Sequence, residues 1–126
     1  MRPGYGYALL PDDTAGEQAP ENDGLYLLVL KSGDRWLLVS LADLAKGAGD
    51  LSAQHYLNHA TFSPDGKRIV FFHLWLTEGG ERQNRLCVYD LELDRLRVLE
   101  AARSVSHYCW LNPREIMVTT KDTKKR

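Results

Sequence analysis

The chain has 126 residues, of which 44% are apolar and 26% charged, and its formal net charge is −1. This composition is ordinary for one globular domain with a modest core, and the near-neutral balance favours neither nucleic acid nor an anionic membrane as a partner. No apolar run is long enough to span a bilayer, and the N-terminus lacks the apolar region of a secretory signal. The sequence gives no indication of the cellular compartment.

The first 23 residues differ in composition and hydrophobic pattern from the rest of the chain. Residues 5–10 predict one short strand, and residues 11–22 are rich in Pro, Gly, Asp, Glu and Thr, which is typical of a mobile loop. At the other end, the basic run over residues 121–126 is interpreted as a solvated tail. The main domain is therefore predicted over residues 24–120.

From residue 24 onward, strand-sized apolar runs alternate with turns. Residues 25–30 (LYLLVL) and 36–40 (WLLVS) are joined by a short Ser-Gly-Asp link, which predicts a hairpin. Residues 41–46 (LADLAK) predict one or two helical turns, and the Gly-rich residues 47–50 end them.

A second kind of hairpin surrounds the SPDG sequence of residues 63–66. Proline presets φ, aspartate tolerates turn geometry and glycine supplies a positive φ, so this is a strong turn signal. The flanking residues 59–62 and 67–72 are predicted to be strands.

Two further hairpins complete the chain. One joins residues 85–91 to 96–99, and the other joins residues 107–110 to 115–120 through the turn sequence LNPR. About eight short strands with little helix predict an all-β fold.

The hairpins form an internal repeat, in which the first kind and the second kind alternate. The second kind followed by the first makes a four-stranded antiparallel meander over about residues 59–99, which is the size of one propeller blade. Residues 24–40 and 107–120 then form half blades. The alignment places residues 25–30 over 86–91, His59 over His107, Phe62 over Trp110, Ile69 over Ile116, and Val70 over Met117.

The segment HATFSPDGKRIVF over residues 59–71 resembles the repeat of TolB-like β-propellers, and the following CVYDL over residues 87–91 resembles the next strand of that repeat. The second copy departs from the pattern, because LNPR replaces SPDG. The resemblance covers residues 24–120 and implies β-propeller blades in which the first strand of each blade lines a central channel.

One chain supplies too few blades for a closed ring, since propellers typically have about 4 to 8. Unpaired blade edges are a liability that natural sheets avoid. Either the chain is part of a longer propeller, or several copies assemble as a homo-oligomer. In the second case, residues 24–40 of one copy complete residues 107–120 of the next.

The sequence has no signature of a common catalytic machine, such as a P-loop, a G-x-S-x-G or an H-E-x-x-H motif. The leading hypothesis is a non-catalytic binding or scaffold module that needs no cofactor and takes a protein or glycan ligand. One alternative is a metal-dependent carbohydrate lyase or hydrolase, because the chain is also similar to propeller-type oligogalacturonate lyases with channel histidines. Another is a propeller fragment without an independent function.

Five polar side chains are predicted to gather at one mouth of the channel, where ligands bind to converging polar groups. These are Tyr56, Asn58, His59, His107 and Tyr108, of which His59 and His107 are also weak metal candidates. The simpler interpretation is that the repeated histidine caps a strand through backbone hydrogen bonds. Trp75, beside a polar loop, is the aromatic residue predicted to make an exposed contact.

The other distinctive residues are predicted to be structural. Asp65 and Asp90 are interpreted as turn or strand-end residues, and Cys87 and Cys109 as buried, inert thiols. Eight aromatic residues are predicted to be core between blades: Tyr26, Trp36, Phe62, Phe71, Phe72, Trp75, Tyr89 and Trp110.

Overall fold

The computed structural model describes residues 16–51, 53–99 and 105–120. The predicted strand over residues 5–10 and the basic tail lie outside the described residues. Within them, strands predominate and there is one short helix, so the all-β prediction is confirmed. The elements are β1 (Gly24–Leu28), β2 (Arg35–Ser40), α1 (Leu41–Ala48), β3 (Gln54–Phe62), β4 (Arg68–Leu76), β5 (Arg82–Asp90), β6 (Arg95–Leu99), β7 (Val105–Asn112) and β8 (Glu115–Thr120).

The strands form three separate sheets. β1 and β2 make a two-stranded sheet, β3 to β6 make a four-stranded sheet in sequential order, and β7 and β8 make a second two-stranded sheet. Successive strands of the central sheet are joined by short turns, which makes them antiparallel neighbours. A closed ring of sheets is not seen in the described part of the chain.

The chain divides into two compact units. The first contains the described residues up to Tyr56 together with Trp75–Glu81. The second contains Leu57–Leu74 and the described residues from Arg82 onward.

In the first unit, the β1–β2 hairpin leads directly into α1. Ser40 ends β2 and caps the helix, because its hydroxyl accepts a hydrogen bond from the backbone N–H of Asp43 at 3.0 Å. Gly49 ends the helix in the left-handed region at φ 77°, where glycine is favoured. Leu41, Leu44 and Ala45 are buried in the core of this unit.

In the second unit, the SPDG sequence forms the turn between β3 and β4. The hydroxyl of Ser63, a buried residue, donates to Asp65 Oδ1 at 2.6 Å and accepts from the backbone N–H of Arg68 at 3.0 Å. Gly66 adopts φ 73°, as the turn chemistry predicts. The sequence signal is therefore accounted for by local hydrogen bonds.

The backbone pairing reproduces the internal repeat. Leu25 pairs with Val39 in the β1–β2 hairpin, and Leu86 pairs with Leu99 in the β5–β6 hairpin. In the sequence repeat Leu25 falls on Leu86 and, after one gap in the turn, Val39 falls on Leu99. The first kind of hairpin therefore has the same register in both copies at this point, although a bulge after Leu25 shifts the rest of the first copy.

Burial confirms part of the predicted core and corrects the rest. Phe71, Phe72 and Tyr89 are buried, whereas Trp36 and Phe62 are exposed, so the prediction that these two are core is wrong. Cys87 is buried, and burial raises the pKa of its thiol to about 11. Cys109 is exposed, so the prediction that it is buried is also wrong. A strand residue is buried only when another part of the protein packs on its face of the sheet. The sequence pattern of a strand does not show which face is covered in this way.

The lowered pKa values of two turn carboxylates, Asp65 and Asp90, predict how the stability of the fold depends on pH. Hydrogen bonds from the Ser63 hydroxyl and the Lys67 N–H lower the pKa of Asp65 below its usual 3.8. Hydrogen bonds from the backbone N–H groups of Leu93 and Glu92 likewise lower the pKa of Asp90. A lowered native pKa means that the unfolded state binds more protons, so stability falls as the pH drops below the ordinary carboxyl pKa and through the native one.

Urea unfolding followed by tryptophan fluorescence at a series of acidic pH values measures this dependence. We expect Asp65→Asn and Asp90→Asn each to flatten the acid limb of the stability curve. Glu78→Gln is the matched control, because Glu78 is an exposed carboxylate with no hydrogen bond in the described part of the chain. An acid limb that is equally steep in all three variants would contradict the assignment.

Candidate functional site

Two of the residues predicted at the channel mouth meet in the second unit. The Tyr108 hydroxyl donates a hydrogen bond to the backbone carbonyl of His59. The Phe72 ring packs edge-on against both side chains, with ring centroids 6.0 Å from His59 and 5.1 Å from Tyr108. Burial raises the pKa of Tyr108, so the hydroxyl stays protonated and remains a donor at neutral pH.

The backbone of His59 has an unusual conformation. Its φ is 57°, in the left-handed region that residues other than glycine rarely adopt. Its carbonyl accepts hydrogen bonds from Tyr108 and from the Thr61 hydroxyl, the latter at 3.3 Å. These two hydrogen bonds to the His59 carbonyl hold the conformation. They involve the main chain of His59, so the interpretation that the repeated histidine caps a strand stays a prediction.

The remaining predicted residues do not join this contact. The His107 side chain is exposed, with Nδ1 lying 3.2 Å from the Ser106 hydroxyl. Asn58 has a buried Oδ1 that accepts no hydrogen bond within the described part of the chain. Trp75 belongs to the first unit, where it is half-buried and its ring stacks on His55 at 5.9 Å.

The described residues contain no group of three or more His, Cys, Asp or Glu side chains placed to hold a metal ion. A metal role for His59 and His107 therefore rests on the sequence alone. Among the same residues there is also no helix long and apolar enough to cross a membrane.

A second feature of this unit is a cleft of about 440 Å³, a volume typical of ligand sites. Its charged lining has four arginines and one carboxylate: Arg68, Arg95, Arg97, Arg114 and Asp90. Its apolar lining is Val88, Leu93, Leu99, Trp110, Pro113 and Ile116.

One of the four arginines is structural. Arg68 Nε donates to Asp90 Oδ2 at 3.2 Å, and its Nη1 donates to the Pro113 carbonyl at 2.9 Å. The single lining carboxylate is thus already paired. Within the described residues, no hydrogen bond or ion pair holds the guanidinium groups of Arg95, Arg97 and Arg114, and all three residues are exposed. The cleft therefore has an excess of positive charge beside an apolar wall.

Sequence reasoning missed this cleft. Arg95 and Arg97 alternate along β6, so their side chains lie on one face of the strand, and that pattern was a readable signal. Arg68 follows the SPDG turn and Arg114 lies in the turn between β7 and β8, so only the tertiary fold brings them to the same cleft.

A third feature is the exposure of apolar residues on the two small sheets. On β8, Met117 and Val118 are exposed. On β1 and its turn, Leu28, Val29 and Leu30 are exposed as well. A two-stranded sheet is marginally stable in water and leaves the hydrogen-bonding groups of its edges unpaired. Both hairpins combine such edges with exposed apolar side chains.

Comparison of the chain with protein-family models, with curated proteins and with solved structures finds no match. The fold and these surfaces define an all-β protein with one four-stranded antiparallel sheet and two hairpins.

Proposed function

We propose that the chain is a non-catalytic binding or scaffold module of TolB-like β-propeller type, which assembles by completing blades between copies. In this proposal the sheet of β3 to β6 is a full blade. The β1–β2 and β7–β8 hairpins are half blades, and β8 of one copy pairs with β1 of another. The SPDG turn and the sequential order of the four strands support a blade.

The observation that carries the proposal is a difference in burial between equivalent positions of the repeat. Val70 on β4 is 0% exposed, and its equivalent Met117 on β8 is 56% exposed. Tyr89 on β5 is 3% exposed, and its equivalent Leu28 on β1 is 56% exposed. The half blades thus retain apolar side chains at positions that are covered when four strands are present.

Completing the blades would remove these side chains from water. Burial of a large apolar side chain stabilises by about 1.5–3 kcal/mol, and pairing of β8 with β1 would also satisfy two exposed edges. Two half blades and one full blade make two blades per chain. Rings of about 4 to 8 blades then correspond to roughly two to four copies.

Substitution of Met117 by lysine tests this pairing. Met117 is exposed in the single chain, so the substitution leaves the fold of the chain intact, but a completed blade would bury the new charge. We expect Met117→Lys to weaken association by about 100-fold or more, since an unpaired buried charge costs several kcal/mol. Light scattering on a sizing column over a dilution series measures the effect.

Leu51→Lys is the matched control, because Leu51 is 61% exposed and lies in the turn after α1, outside both hairpins. We expect this variant to keep the mass of the unmodified protein. Equal masses for Met117→Lys and the unmodified protein at every concentration would contradict pairing through β8.

A further inference from the structure

We propose that the arginine-lined cleft of the second unit binds an acidic peptide segment in which apolar side chains alternate with carboxylates. The proposal goes beyond blade assembly, because it concerns a ligand other than the chain itself. It rests on the lining of the cleft and on the absence of partners for its arginines within the described residues.

The excess positive charge of the cleft favours a negatively charged ligand. The Asp90 carboxylate pairs with Arg68, and no carboxylate of the described residues lies within ion-pair distance of Arg95, Arg97 or Arg114. A guanidinium group presents a planar fork of donors that matches a carboxylate in two parallel hydrogen bonds. The chain as a whole has a net charge of −1, so this local excess of positive charge is not a consequence of composition.

The apolar lining selects the class of anion. Val88, Leu99 and Ile116 lie in the same cleft as the arginines. An inorganic anion or a polyphosphate would leave this surface without a partner, whereas apolar side chains would cover it. In an extended peptide, side chains alternate between two faces with a period of two. Carboxylates at alternate positions would therefore meet Arg95 and Arg97 on β6, and the apolar side chains between them would meet the lining residues of the β7–β8 hairpin, Trp110, Pro113 and Ile116.

The positions of the arginines fit an extended ligand. Arg95 and Arg97 are spaced by two along β6, which is the edge strand of the four-stranded sheet. Side chains two apart on a strand share a face, about 7 Å from each other. Alternate carboxylates of an extended peptide have the same spacing, so one peptide strand can meet both guanidinium groups.

Binding is tested by fluorescence anisotropy with a fluorescein-labelled peptide of sequence Glu-Leu-Glu-Leu-Glu. We expect saturable binding that weakens as salt is added, because the ion pairs are exposed to solvent. The Gln-Leu-Gln-Leu-Gln peptide, which has the same apolar residues and no charge, is expected to bind at least about 10-fold more weakly.

Arg97→Gln is expected to weaken binding of the acidic peptide by about 10-fold. Arg82→Gln is the matched control, since Arg82 is an exposed arginine of the same unit that does not line the cleft. It removes the same charge and is expected to leave the affinity within about 2-fold. Near-UV circular dichroism establishes that both variants retain the native fold.

Three results would overturn the proposal. The first is no binding of the acidic peptide, or equal losses in Arg97→Gln and Arg82→Gln. The second is binding of tripolyphosphate with no binding of the peptide, which would identify the cleft as a site for a bare polyanion. The third is binding of the peptide to Met117→Lys and not to the unmodified protein, which would mean that assembly closes the cleft.

Discussion

Replacement of Phe71 by alanine is expected to lower the free energy of unfolding by about 3–5 kcal/mol. Phe71 lies in the middle of β4, is 0% exposed and is among the largest fully buried side chains of the described residues. The substitution loses the free energy gained by burying the aromatic ring. It also leaves a cavity, which the close-packed neighbours fill only in part. A loss of this size is a large fraction of the stability of a small domain.

Phe62→Ala is the matched control, because it makes the same chemical change at the end of β3, where the ring is 50% exposed. We expect a loss below about 1 kcal/mol. Urea unfolding followed by circular dichroism, at one fixed chain concentration, gives both values. Similar losses in the two variants would show that β4 is not the centre of the core.

A mixture of two non-assembling variants is expected to associate. Each proposed contact pairs β8 of one copy with β1 of another. Met117→Lys disables β8 in every copy, and Leu28→Lys disables β1 in every copy. Neither variant can therefore form a contact with itself. In an equimolar mixture, the intact β1 of the first variant meets the intact β8 of the second. We therefore expect a heterodimer with one contact, although neither variant associates with itself.

Native mass spectrometry with one variant isotopically labelled identifies this heterodimer directly. A mixture of Met117→Lys with Leu51→Lys is the positive control. Leu51→Lys keeps both hairpins intact, so heterodimers are expected in this mixture as well. Two results would count against the pairing of β8 with β1: a Met117→Lys and Leu28→Lys mixture that stays monomeric, or self-association of Leu28→Lys at native strength.

The local part of the fold could be predicted from the sequence because its signals are local. The SPDG turn depends on hydrogen bonds within six residues, between Ser63, Asp65 and Arg68, and each partner is visible in the sequence. The helix after β2 was likewise predictable, since Ser40 and Gly49 supply its two caps.

The start of β3 could not be predicted in the same way. The strand was predicted from His59, and it begins at Gln54. Residues 54–58 alternate poorly and contain polar side chains, yet His55 is fully buried and stacks on Trp75. Tertiary packing therefore extends the strand beyond what its pattern indicates.

The candidate sites depend even more on tertiary structure. The contact between Tyr108 and His59 joins residues 49 apart, so it depends on how the strands pack and not on any local pattern. Cys109 and Phe62 are exposed because no other part of the described chain packs over them. The repeat, in contrast, was visible in the sequence, and it is what makes the burial difference between Val70 and Met117 interpretable.

The solution mass of the unmodified 14.3 kDa chain, measured by light scattering on a sizing column, tests the central claim most directly. The proposal predicts one discrete species of roughly two to four copies. A monomer that unfolds cooperatively and has the circular dichroism of a β protein would contradict blade completion between copies, because its half blades would then be stable without partners.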